Sequence, residues 1–131
     1  MILIIDADRA SAPFLARLLR YNGQPAEVVP SGMEALALLP TRSPAAIILD
    51  LDLPDLPGLT LLKALRADPE FLSIPILVYT SDFSPAAADA ARTAGALDVI
   101  VKGTIGVQAL LARIVQHLPA RSLRPHDPSR E

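Results

Sequence analysis

No cysteine occurs anywhere in the chain. A disulfide framework and a thiolate metal site are thereby excluded, and the composition fits a reducing compartment. Histidine is nearly as scarce: His117 and His126 are separated by a proline, and neither has a partner at metal-ligand spacing. Basic residues are not in excess either, since 12 Lys and Arg against 14 Asp and Glu leave a net charge of -2. Binding to nucleic-acid phosphates needs clustered Lys and Arg to release counterions, and here they are scattered, so direct nucleic-acid binding is not expected. Long apolar runs are missing as well. Met1-Ile2-Leu3-Ile4-Ile5 has no basic flank and meets Asp6 far too soon for a signal peptide or a membrane span. A soluble cytoplasmic protein with no membrane association is expected.

What is present suffices for one core. The 131 residues are 51% hydrophobic, and a chain of this size buries roughly two-thirds of its unfolded surface. One domain over residues 1–118 is expected. The segment after it, 119–131, has three arginines and, beyond its prolines, one apolar residue larger than alanine. It reads as a disordered tail.

The chain is organised around Ala45-Ala46-Ile47-Ile48-Leu49-Asp50-Leu51-Asp52-Leu53-Pro54. Breakers on both sides, Ser43-Pro44 before and Pro54 to Gly58 after, leave room only for a strand, with Asp50 at its mouth. Ile2–Ile5 is a second apolar strand running into Asp6-Ala7-Asp8. It is followed by a helix with Pro13 in its first turn and Asn22-Gly23 as its stop. Residues 26–29 form a short strand. Ser31-Gly32-Met33-Glu34 has the form of a capping box, opening a helix that Pro40 ends. A helix runs from Gly58 to Asp68-Pro69, a strand from Pro75 to Thr80, and an alanine-rich helix from Ser84-Pro85 to Gly95. Val99 to Val101 is the fifth strand and ends at Lys102. Thr104 is expected to cap a last helix with Val107, Leu110, Leu111, Ile114, Val115 and Leu118 on one face.

Five strands alternating with five helices imply parallel pairing through right-handed crossovers, hence a doubly wound α/β sheet covered on both faces. Asp6, Asp50, Thr80 and Lys102 then each lie at the carboxyl end of a strand, on one edge of the sheet, where such folds bind ligands. Carboxylates with one lysine and one hydroxyl suit a divalent cation plus a phosphoryl group, and also an aspartate nucleophile. Taken singly, each residue has a blander role. Asp6 and Asp8 could be N-caps, Thr80 could begin a loop, Lys102 could be solvated, and Asp52 and Asp82 read as surface acids.

The ordered set Ile4-Ile5-Asp6-Ala7-Asp8, Ser31 to Leu36, Leu49 to Pro54 with Gly58, Tyr79-Thr80-Ser81, Ala94-Gly95-Ala96 and Val101-Lys102 resembles the response-regulator receiver domain of two-component signalling. The resemblance covers residues 1 to about 118. It implies that Asp50 is the phosphoacceptor, Asp6 the first of two metal-site acids, Asp52 the residue whose backbone carbonyl binds Mg²⁺, Thr80 the switch hydroxyl and Lys102 the phosphate-contacting lysine. It implies a phosphorylation switch rather than an enzyme, with a histidine kinase or phosphotransfer protein as donor. With no effector domain after residue 118, output is expected to pass through another protein, or the chain to be a piece of a longer one.

Three positions depart from that family pattern. Ala7 stands where a second acid coordinates the metal, Val99 where an aromatic moves with the switch, and Gly103 where a proline follows the lysine. A weak Mg²⁺ site is therefore expected, and Asp8, the nearest acid, looks like an N-cap. These departures keep open a pseudo-receiver that binds partners without phosphorylation. The Asp-X-Asp pairs at Asp6 and Asp50 also fit a haloacid-dehalogenase-like phosphatase, but that chemistry needs a late acidic pair, and no acid follows Lys102 until Asp127. The alternation and the switch-point rule predict a flavodoxin-like strand order 2-1-3-4-5. Ile4 and Ile48 should lie on adjacent strands, with two helices on one face and three on the other.

Overall fold

A computed structural model describes residues 1–119. Parallel strands β1 (Ile2–Ile5), β2 (Ala26–Val29), β3 (Ala46–Leu49), β4 (Ile76–Thr80) and β5 (Asp98–Val101) alternate with helices α1 (Ser11–Tyr21), α2 (Gly32–Leu38), α3 (Gly58–Ala67), α4 (Pro85–Thr93) and α5 (Val107–Gln116). The sheet order is β2-β1-β3-β4-β5, and Ile4 pairs with Ile48. Both follow the sequence expectation. The predicted tail and His126 lie outside the described residues, Pro119 excepted.

Strand side chains alternate between the two faces, so each apolar strand feeds two cores. Leu3, Ile5, Ile47, Leu49, Ile76, Val78 and Val99 pack under α2, α3 and α4 through Ala35, Leu61, Leu62, Leu65 and Ala91. Ile2, Ile4, Ile48, Leu77 and Ile100 pack under α1 and α5 through Leu15, Leu19, Leu110 and Ile114. β1 and β3 are wholly buried. Each Ile or Leu withdrawn from water there contributes roughly 1.5–3 kcal/mol, so the middle of the sheet is a rigid base for the loops at its carboxyl edge. Among the described residues no helix is long and apolar enough to cross a membrane.

The helix ends agree with the sequence in part. Ser84 accepts the Ala87 N–H with Pro85 at the first turn, and Asp8 Oδ1 accepts the N–H groups of Ala10 and Ser11 at the start of α1. Ser31 accepts the Glu34 N–H, but the Gly32 and Met33 N–H groups are taken by Asp55 from the β3–α3 loop, at 3.0 and 2.8 Å. Thr104 does not cap α5. Gly103, with φ of 81°, turns the chain so that the Thr104 hydroxyl donates back to the Val101 carbonyl at 2.7 Å, and Gly106 holds the cap position.

β5 also begins one residue earlier than expected, at Asp98. This buried acid is satisfied by the Arg113 guanidinium and by His117 Nε2, the latter at 3.2 Å. His117, which showed no partner in the sequence, therefore ties the end of α5 to the start of β5.

Candidate functional site

Four strand ends deliver the predicted residues to one place. Register sets Ile5 beside Leu49, Leu49 beside Val78 and Thr80 beside Val101, so Asp6, Asp50, Thr80 and Lys102 emerge along the same edge. Asp50 and Thr80 line a cleft of about 660 Å³ on that edge, together with Ala7 and Asp8 from the first loop, Asp52 from the third and Asp82 from the fourth. Asp6, Asp50 and Thr80 are buried, at 3%, 6% and 1% exposure. Buried polar groups persist only where they are hydrogen-bonded, and each of these is.

Lys102 is the hub. Its backbone N–H donates to the Thr80 carbonyl at 2.7 Å, fixing the start of the side chain on the sheet. Its ammonium donates to Asp6 Oδ2 at 2.7 Å, Asp50 Oδ2 at 3.0 Å and Ser11 Oγ at 3.0 Å. Burial pulls the Lys102 ammonium down, but the hydrogen bonds and charges of Asp6 and Asp50 outweigh it and hold its pKa above the ordinary lysine value. Asp6 is pushed above the usual carboxylate range, chiefly by burial and further by the Asp50 charge, against the pull of Lys102 and of the Asp8 N–H.

The remaining oxygens are aimed by the backbone. Asp50 Oδ1 accepts the Asp52 N–H at 3.2 Å, and Thr80 Oγ1 accepts the Asp82 N–H at 3.3 Å, which leaves the Thr80 hydroxyl proton available to an acceptor in the cleft. The β3–α3 loop is braced from behind. Gly58 N–H donates to the Leu51 carbonyl at 2.9 Å, Leu53 is buried, and backbone N–H bonds, chiefly that from Met33, hold the Asp55 carboxyl below the usual range.

The departures have visible consequences. Ala7 lines the cleft with no carboxylate to offer, and the neighbouring Asp8 spends its Oδ1 on capping α1, the N–H bonds of Ser11 and Ala10 holding its pKa below the usual carboxylate value. Among the described residues no group of three His, Cys, Asp or Glu side chains could hold a metal ion. The donors at hand are all hard oxygens, which fits Mg²⁺ in kind, as an ion keeping several of its own waters rather than a caged one. Val99 is buried with no ring, and the Lys102–Gly103 peptide is trans like all the others described.

Three contacts were not readable in the sequence: Ser11 on Lys102, Asp55 on α2, and Asp98 with His117. Each joins residues on different elements and leaves no local pattern; an acid in a turn was the nearest available signal, at Asp55.

The sequence matches the family model for the response regulator receiver domain over residues 2–115. Response regulator MprA of Mycobacterium sp. (strain KMS) is 38% identical over 113 residues, covering 86% of this chain and 48% of the relative. The chain thus spans about half the length of the curated relatives it matches. Among solved structures, the BeF3-activated N-terminal receiver domain of Klebsiella pneumoniae RstA superposes with a TM-score of 0.82 at 29% identity, covering 88% of this chain and 96% of that one. The Vibrio cholerae chemotaxis protein CheY4 superposes at 0.81 and 26% identity, covering 89% and 97%. A family match across nearly all of the described residues, on a sheet of the same order, means that this chain belongs to the receiver domain family of two-component response regulators.

Proposed function

We propose that the domain is a phosphorylation-dependent signalling switch in which Asp50 accepts a phosphoryl group from a histidine kinase or phosphotransfer protein and passes the signal to a downstream protein effector. The observation that carries this reading is that Asp50 lines the cleft while paired with Lys102, on the same strand edge as Thr80. An Asp50 carboxylate oxygen attacks phosphorus, an O–P bond forms, and the donor's N–P bond breaks with its electron pair leaving on the imidazole nitrogen. Lys102 neutralises charge on the phosphoryl oxygens, and the Thr80 hydroxyl donates to one of them, drawing the β4–α4 loop toward the site. With Val99 in place of an aromatic, no ring rotates behind Thr80.

Asp6, Asp50 and the Asp52 carbonyl would hold Mg²⁺, which supplies further charge neutralisation when bound. The site is weak because Ala7 withholds a ligand. That same alanine favours a second reading, a pseudo-receiver whose partner contacts do not depend on phosphorylation.

Intact mass after incubation with acetyl phosphate and Mg²⁺ separates the two readings. The native domain is expected to gain one phosphoryl group and Asp50→Asn none. Equal modification of the variant would overturn the assignment of Asp50, and no modification of the native domain would favour the pseudo-receiver.

A further inference from the structure

We infer that Ser11 and Tyr79 are positioning residues for the Lys102 ammonium, an inference that rests on the proposed role of Lys102 at the phosphoryl site. An ammonium has three N–H donors, and here all three are used, on Asp6, Asp50 and Ser11. Phosphorylation would alter one acceptor, Asp50. The Ser11 hydroxyl, at 3.0 Å, carries no charge and takes no part in the proposed metal site, so Ser11 is a neutral anchor that does not depend on the state of the phosphoacceptor. It is delivered by the first turn of α1, a helix locked onto the sheet by Leu15 and Leu19.

Tyr79 supplies the second anchor. It precedes Thr80 on β4 and packs against the α1 and α5 side of the sheet, with the Lys102 Nζ 5.5 Å from its ring centroid. That is within cation–π reach, and the Lys102 side chain is only 10% exposed, so little water screens the contact.

These anchors matter because the residue after Lys102 has no side chain that could help to hold the ammonium. Gly103 is exposed at φ of 81°, and a Cβ added to it would meet nothing within 4 Å. A lysine side chain carries roughly 2 kcal/mol of rotamer entropy. Backbone bonds fix only the start of that side chain, so side-chain contacts must hold the charge where a phosphoryl group would arrive.

The test has two arms. In urea unfolding, double-mutant cycles pair Ser11→Ala and Tyr79→Leu with Lys102→Met. Coupling of roughly tenfold in the unfolding constant is expected for Ser11, as for a hydrogen bond to a charged group, and roughly two- to fivefold for Tyr79. In the second arm, the rate of phosphorylation by acetyl phosphate with Mg²⁺ is followed by intact mass. Ser11→Ala and Tyr79→Leu should slow it by similar factors, while Ser11→Thr and Tyr79→Phe, which keep the hydroxyl and the ring, should restore it.

Cycles with no coupling would overturn the inference, as would Thr and Phe variants as slow as Ala and Leu. A native domain that takes up no phosphoryl group would overturn the proposed function instead, and the cycles would still decide whether Ser11 and Tyr79 hold Lys102.

Discussion

Gly58 is the residue at which fold and site can be challenged together. A Cβ added there would stand 2.3 Å from the Asp50 carbonyl oxygen and 2.6 Å from Leu51 Cα. Both are backbone atoms, so no rotamer change relieves the clash. Real Cβ contacts essentially never fall under 3.0 Å, and α3 and the Asp50 backbone must therefore separate by about 0.7 Å in Gly58→Ala. Overpacking of this kind costs typically ~1–3 kcal/mol, and the better helix propensity of alanine returns less than ~1 kcal/mol at the first helical position. A net loss of ~1–2 kcal/mol lowers Tm by roughly 4–8 °C for a domain of this size. The same shift displaces the proposed phosphoacceptor, and since a misplacement near 1 Å can cost ~100-fold, a slowing of phosphorylation by roughly tenfold or more is expected. Thermal unfolding followed by circular dichroism, together with intact-mass kinetics, reads both effects. Gly106→Ser, at the open N-cap of α5 where an added Cβ meets nothing within 4 Å, is the control and should not destabilise. A Gly58→Ala protein with native Tm and native phosphorylation rate would refute the close approach of α3 to Asp50.

Two further outcomes follow from the charges. Burial pushes the Asp98 carboxyl up, but the bonds from Arg113 and His117 outweigh it and leave its folded pKa depressed. Its contribution is therefore present above the unfolded pKa of about 3.9 and is lost as pH falls through the lower folded value. Because the Arg113 side chain is 38% exposed, the contribution is discounted for solvent screening to roughly 1–2 kcal/mol. The urea midpoint of Asp98→Asn should fall below native at pH 7 and converge with it as pH falls through the depressed folded value; a gap that does not close in acid would show that no ion pair is involved. Ala7→Asp should tighten Mg²⁺ in titration calorimetry: a unit charge at about 4 Å with an effective dielectric near 20 is worth roughly 4 kcal/mol before desolvation, and a net ~1.4 kcal/mol is already tenfold. Native affinity equal to that of the variant would mean that another group fills the gap.

How far the sequence was legible depends on the range of the signal. Strand β3 announced itself because Pro44 and Pro54 bracket an apolar run, and the sheet order followed from alternation with parallel crossovers. Asp6, Asp50, Thr80 and Lys102 could be grouped because a strand end is a position known from the strand alone. Ser11, Asp55 and Asp98 could not. Ser11 meets Lys102 across 91 residues and Asp55 meets Gly32 across 23, and nothing local to a serine in a first helical turn or an acid in a proline-rich loop predicts its partner. Thr104 misled for a related reason. A threonine before an amphipathic helix is a good N-cap, but the left-handed turn at Gly103 spends its hydroxyl on the Val101 carbonyl instead.

The three departures from the family pattern flank β3, with Ala7 on the β1 side and Val99 and Gly103 on the β5 side, and this bears on how a switch built here would work. Ala7 follows β1, Val99 lies in β5, and Gly103 follows Lys102, whereas the loop after β3 keeps its full set of restraints. Asp50 is held by the Asp52 N–H, Leu51 by the Gly58 N–H, and Asp55 by the start of α2, with Leu53 buried between them. A phosphoryl group placed on Asp50 would thus sit on a fixed base and face Lys102 and the Thr80 loop across the cleft. Since an effector can shift an equilibrium only through contacts that differ between its two states, the response must be read from those two segments. The Lys102 ammonium, which Asp6 and Ser11 also hold, would then limit how far the β5 end can move, leaving the Thr80–Ser84 segment, with Phe83 84% exposed at its outer end, to carry the change outward.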